Sequence, residues 1–294
     1  MGTELRWVVN QSANSFYTAD LIRRGIDLPD SELVAALREP TAKLSATVDT
    51  NGLPVELFWR HLVPLSATIG SNRDLAKTVS RKLIGSNPRV EFLVDRLAGR
   101  ISDIEAAANR AMPQLCEQVA SLGGRLQQEW ARHGRVILST VAQQTDQQLI
   151  VSQADVMPVF PSGGGGGTSH LLYNSVSIEA VDDDPVAEVP EVLRLAWLVV
   201  QLNVDLPMFS ENLQPGRRPL IAAASMIPPV LVAAEGAELA RYDLPSVAAA
   251  IAAWRIEGPP GVDLAEVITL WWSTYTEARL RWNVALTALD RMIV

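Results

Sequence analysis

The 294-residue chain contains one cysteine, three histidines and three lysines, and each scarcity removes a class of chemistry. Cys116 stands alone, which excludes an intrachain disulfide and any cysteine-built zinc site. Its neighbours Leu115 and Val119 mark it as a small apolar core residue. The histidines, His61, His133 and His170, form neither an H-x3-H pair nor an HExxH motif, so no metal site and no cofactor are expected. Lys43, Lys77 and Lys82 are the only lysines, and none follows the glycine run, so a Walker A loop is excluded. Gly-x-Ser-x-Gly and Ser-x-x-Lys are also missing. Asp182-Asp183-Asp184 falls short of DDxxD because Val186 holds the last position, and Val204 breaks the NDxxSxxxE pattern ahead of Glu211. No catalytic motif is recognisable. The uncharged apolar stretch 219–234 is shorter than the ~20 residues a spanning helix needs and carries Pro228-Pro229, so no membrane span is expected. The first residues lack the basic and apolar blocks of a secretory signal, which makes the cytoplasm the expected address.

What the chain does have is apolar content, 48% against 20% charged, enough to build a large core. Charge is uneven. Residues 1–150 carry 17 basic and 16 acidic groups, whereas 151–294 carry 8 and 17. The acidic second half repels phosphate backbones and disfavours nucleic acid as a partner. The one basic run, Arg73, Lys77, Arg81, Lys82 and Arg89, has the spacing of a solvated helix face.

Helical periodicity dominates, and the expected fold is mainly α. Leu97, Ile101, Ile104, Ala108, Ala111, Leu115, Val119, Leu122, Leu126 and Trp130 step by three or four and predict a long helix over about 88–133. Asn87-Pro88 starts it, and Pro113 kinks it. Leu264, Ile268, Trp271, Tyr275, Ala278, Trp282, Ala285, Leu289 and Met292 predict a second over about 263–292, opened by Asp263 and Glu266. The expectation is a helical array around this pair, packed seam to seam. Shorter helices are predicted over 3–24, from Pro29-Asp30-Ser31 to before Pro40, and over 54–69, 72–84, 217–240 and 245–256. Asp182 to Pro185 should open another that runs, apolar nearly all round, to about Val204.

Short apolar runs at 136–138 and 149–151, and alternation at 176–180, predict a small antiparallel β element over about 135–181. The expected organisation is a helical region 1–134, the β element 135–182 and an acidic apolar-helical region 183–294, packed with the first as one unit.

Candidate site residues are few. Gly163, Gly164, Gly165, Gly166 and Gly167 form a flexible loop or hairpin tip, with His170 at its hinge as a weaker lid idea. Asp205, Glu211, Arg217 and Arg218 are charges at the ends of apolar elements, suited to a structural ion-pair corner or a small anion site. Trp272 points about 100° from the stripe of Trp271 and needs a partner surface of its own. Two readings follow: a non-catalytic scaffold or interaction protein, self-associating or bound to a protein partner; or a small-ligand-binding protein or enzyme with a pocket near Trp197, Asp205, Arg217 and Trp272.

Overall fold

Strand β1 (Glu4–Trp7) opens a computed structural model that describes residues 3–160, 166–181 and 186–293. Helix accounts for 65% of the described residues, accompanied by a small four-stranded mixed sheet. The mainly α expectation holds at that level. Residues 4–7 depart from the helix expected over 3–24 because they alternate exposed and half-buried and pair, parallel, with a later strand. Helix α1 (Gln11–Arg23) starts only where Asn10 Oδ1 accepts Ala13 N at 2.9 Å.

Helix α2 (Ser31–Thr50) is capped by Asp30 as expected but runs through Pro40. Leu33, Leu37, Leu44 and Val48 keep one buried stripe across the proline. Their burial offsets the roughly 3 kcal/mol an internal proline costs. Helices α3 (Val55–Ser66) and α4 (Asn72–Ile84) match their expected spans closely. The long helix of 88–133 is instead two: α5 (Pro88–Ala111) and α6 (Leu115–Gln144). Met112 leaves the helical region at φ −139°, ψ 75° and Pro113 cannot donate, so the backbone breaks there rather than kinking. Gly134 does not stop α6. It lies against the Trp130 ring, and the helix absorbs residues 136–138, which were expected to be a strand, because Ile137, Leu138 and Val141 continue its buried face.

The sheet comprises β1, β2 (Gln153–Val159), β3 (Gly167–His170) and β4 (Ser175–Glu179) in the order β1-β2-β4-β3. The antiparallel element expected over 135–181 is therefore corrected. β1 and β2 are parallel, as are β2 and β4, and only β3 runs against β4. Local periodicity could not foresee this, because β1 joins from the far end of the chain. The alternation at 176–180 does not mark a half-exposed strand either, since every residue of β4 is buried. Gly167 is required where it sits, because a Cβ there would meet Leu198 Cδ1 at 2.7 Å and the Ser177 carbonyl at 2.9 Å.

Helix α7 (Glu191–Val200) is buried at every position but its first. The start expected at Asp182 to Pro185 lies outside the described residues. A short α8 (Pro207–Ser210) leads to α9 (Arg218–Ser225) and α10 (Ile227–Gly236), which divide at Met226 ahead of Pro228-Pro229. By length and composition Arg218–Gly236 could cross a membrane, but 67% of that window is buried, as in a core helix. Helix α11 (Leu244–Ala253) follows.

The second long helix is also two. In α12 (Leu264–Ala278) the Asp263 cap on Glu266 N appears as expected, but Arg279 turns left-handed and α13 (Trp282–Met292) folds back. The aromatic seam thus closes on itself. Trp271, Trp272, Tyr275 and Trp282 are in mutual ring contact, and Trp271 Nε1 donates to the Ala285 carbonyl at 2.7 Å. Helix α12 packs on α11, α13 and α10. It meets the end of α6 where Tyr275 donates to the Gln144 carbonyl, so the expected lengthwise pairing gives way.

Two buried clusters result. One lies among α1–α5 and includes Val159 of β2; the other spans α6, the sheet and the later helices.

Candidate functional site

The parallel strands β2 and β4 end side by side, and α6 and α7 flank them. Carboxyl ends of parallel strands are where open sheets leave ligand crevices. A cavity of about 300 Å³ lies here, between Leu122–Glu129 of α6, Pro158 of β2, Ile178–Val181 and the first turn of α7. Its buried lining is apolar at Leu126, Pro158, Ile178, Ala180 and Val192 and carries one charged residue, Glu179. Its more exposed lining carries charge: Arg125 and Glu129 on α6 and Glu191 on α7. Gly123 brings α6 against β2, since a Cβ there would stand 3.0 Å from Pro158 Cγ.

Beside the cavity lies a polar cluster cut off from water. Arg194 and Glu179 are both 0% exposed. Arg194 Nη1 donates to the Gly166 carbonyl and Nη2 to the Glu179 carbonyl, each at 2.6 Å, and Nη2 also pairs with the Glu191 carboxylate. Glu179 Oε2 accepts Gly166 N at 2.8 Å, while Tyr17 OH donates to Oε1 at 3.3 Å. Burial, reinforced by the charge of Glu179, holds the Tyr17 phenol well above its ordinary pKa, so it stays a donor. The end of β2 is fixed from α1. Phe160 N donates to Asn14 Oδ1 at 2.9 Å, and Thr18 donates to the Phe160 carbonyl. The cluster thus ties one end of the glycine run to α7 and places Glu191 at the cavity.

Sequence reasoning missed Arg194, Glu179 and Tyr17. A signal was present: a lone arginine inside the apolar run Val192–Val200 must be paired if that helix is central.

The residues singled out from sequence do not share one pocket. Trp197 stacks on Trp254 at 4.9 Å and donates Nε1 to the Ala223 carbonyl, inside the core. Trp272 finds its partners in Tyr275 and Trp282. The arginines diverge. Arg218 reaches Asp205 at 3.4 Å, whereas Arg217 Nη1 donates to the Ile293 carbonyl. Arg217 Nε lies 2.9 Å from Asp290 Oδ1 as a charge contact without hydrogen-bond alignment. This is the geometry of an ion-pair corner securing α13. An open depression of about 560 Å³ adjoins Arg217, Asp290 and Arg291 but touches neither Trp197, Asp205 nor Trp272. Glu211 is exposed beyond α8. Gly163, Gly164 and Gly165 lie outside the described residues, while Gly166 and Gly167 belong to the cluster and β3 as given above. His170 is buried, its Nε2 2.8 Å from Ser177 Oγ, and burial lowers its pKa to about 4.

The basic run is tied down by α5: Arg73 pairs with Asp95, and Lys77 with Glu91 at 2.7 Å. Lys82 stands 5.1 Å from the centre of the Tyr173 ring, whose hydroxyl meets His61 Nδ1 at 2.5 Å. Burial first, then Lys82, lowers the His61 pKa and favours the neutral ring. Cys116 Sγ donates to Gln11 Oε1 at 3.1 Å, and burial raises its pKa, so it stays a thiol. Among the described residues no three His, Cys, Asp or Glu side chains converge as a metal site.

Compared with protein-family models, curated proteins and solved structures, the chain has no significant match.

Proposed function

We propose that the chain is a small-ligand-binding protein whose site is the cavity between α6, the ends of β2 and β4, and α7. One observation carries this reading: a mostly apolar floor and a charged rim line about 300 Å³ at the buried Glu179, beside an Arg194 held by two backbone carbonyls and the Glu191 carboxylate. That volume is at the small end of ligand pockets, which are mostly apolar with a few placed polar groups. A cluster locked by five internal contacts keeps the wall rigid before any ligand arrives. Amide shift mapping with a small-fragment library tests it. Perturbations should concentrate at residues 122–129 and 178–192. They should vanish in Leu122→Trp, which fills the cavity from its half-buried side, with circular dichroism unchanged. Fragments that perturb only other surfaces, or none that bind, would remove the reading.

A second reading, a non-catalytic helical interaction protein that self-associates, draws on Phe92, 85% exposed on α5, and Leu270, 61% exposed on α12. Exposed aromatics are enriched at interfaces. Light scattering across micromolar concentrations decides it: a dimer dispersed by Phe92→Glu supports it, and a strict monomer removes it.

A further inference from the structure

We infer that the depression beside Arg217 and Asp290 is a second site, which takes a neutral polyhydroxylated ligand of the chemical class of a monosaccharide. It shares no lining residue with the cavity proposed above and stands independently of it. About 560 Å³ opens between the outer face of α13 and the 212–217 turn, within the size range of small-ligand clefts.

At its base lies a carboxylate with one acceptor atom left over. Asp290 is only 4% exposed, and its Oδ2 accepts Gln214 N at 3.2 Å. Its Oδ1 stands 2.9 Å from Arg217 Nε, yet neither atom has a hydrogen bond. Buried polar atoms seldom go without one. A hydroxyl answers both, donating to Oδ1 while accepting from Nε. A ligand carboxylate or phosphate would meet the charge of Asp290, and an ammonium would meet Arg217 and Arg291.

The walls repeat that duality. Asn212 and Gln214 present exposed side-chain amides, each both donor and acceptor, which pair with nothing among the described residues. Asn283 Oδ1 accepts Val284 N at 2.9 Å, which leaves its NH2 to donate. Thr287 Oγ1 donates to the Asn283 carbonyl at 2.9 Å, which leaves its lone pairs to accept. Hydroxyls on adjacent carbons match such a set, because each of them also donates and accepts. Between these groups Val284, 49% exposed, and Ala288 offer an apolar strip to the C–H face of a sugar ring.

Amide shift titrations of the full chain test this with D-glucose, D-galactose, D-mannose, glucuronate, glucosamine in its ammonium form, and cyclohexanol. At least one neutral hexose should bind, with shifts concentrated at residues 212–217 and 283–291. It should bind at least about tenfold more tightly than glucuronate, glucosamine or cyclohexanol, equivalent to about 1.4 kcal/mol. Asn212→Ala and Thr287→Val should each weaken it about two- to tenfold, the share of one neutral hydrogen bond, with circular dichroism unchanged. Thr287→Trp, which fills the depression from its solvent side, should abolish it, whereas Leu122→Trp should leave it intact. No hexose binding, hexose shifts confined to other surfaces, preference for a charged probe or for cyclohexanol, or binding indifferent to both Asn212→Ala and Thr287→Trp would overturn the polyol site. The first cavity is judged separately by the fragment mapping above.

Discussion

Helices α1–α5 and the region around β4 and α7 solve the burial problem in opposite ways. In the first region α2, α4 and α5 each have one greasy face, and only α1 has no exposed residue. Helix α2 buries Leu33, Leu37, Thr41, Leu44 and Val48 and turns its other side to water, where Lys43 pairs with Glu39. Charged groups there, such as Lys77 and Glu91, keep their hydration and need little from each other. In the second region β4 is buried throughout and α7 nearly so. Polar groups cannot reach water there, and most find their partners inside, although Arg194 Nε and Ser175 Oγ have none. Arg194 therefore binds two backbone carbonyls and a carboxylate, and His170 stays neutral against Ser177. Preorganised polar groups collect where the fold forbids solvation, which is also where the cavity lies.

The largest test of this contrast is Arg194→Met. It removes the buried guanidinium from the Gly166 and Glu179 carbonyls and from the Glu191 carboxylate, and should cost about 3–5 kcal/mol in urea unfolding. A loss below about 1 kcal/mol would show that water reaches the cluster. The pH dependence of His170 comes next. Its folded pKa, about 4, lies below the unfolded value, so the unfolded chain takes up the proton first as pH falls. Stability should drop from about pH 6.5 and level near pH 4, by about 3 kcal/mol in total, and His170→Gln should flatten that part of the profile relative to the parent chain. A variant with the parent's slope would place the acid sensitivity elsewhere. The smallest effect belongs to the first region. Lys77→Ala should cost under about 1 kcal/mol, and less in high salt, because its partner Glu91 is half exposed.

The same contrast explains what could be read in advance. Amphipathic helices declare themselves locally, so the span of α4, the Asn87-Pro88 start of α5 and the Asp263 cap of α12 were legible from spacing and capping chemistry. Pro40 misled because a stop signal acts through local strain of about 3 kcal/mol, which a stripe of buried leucines outweighs. The unbroken phase across Pro113 misled in the other direction, since side-chain periodicity says nothing of backbone direction where Met112 leaves the helical region. Of the site, only Gly166, Gly167 and His170 drew notice beforehand. Tyr17, Glu179 and Arg194 come from three distant segments, and no local pattern ties them together.

Composition, charge imbalance and periodicity were sufficient to establish a mainly helical chain with an apolar centre in its second half, because each depends on neighbours within a turn or two. Tertiary structure alone decided that residues 4–7 complete a parallel sheet, that the aromatic seam folds back on itself at Arg279, and that Arg194 meets Glu179 and Glu191 beside a cavity. Those outcomes depend on contacts between segments far apart in the chain, where the need to pair every buried polar group overrides local preference.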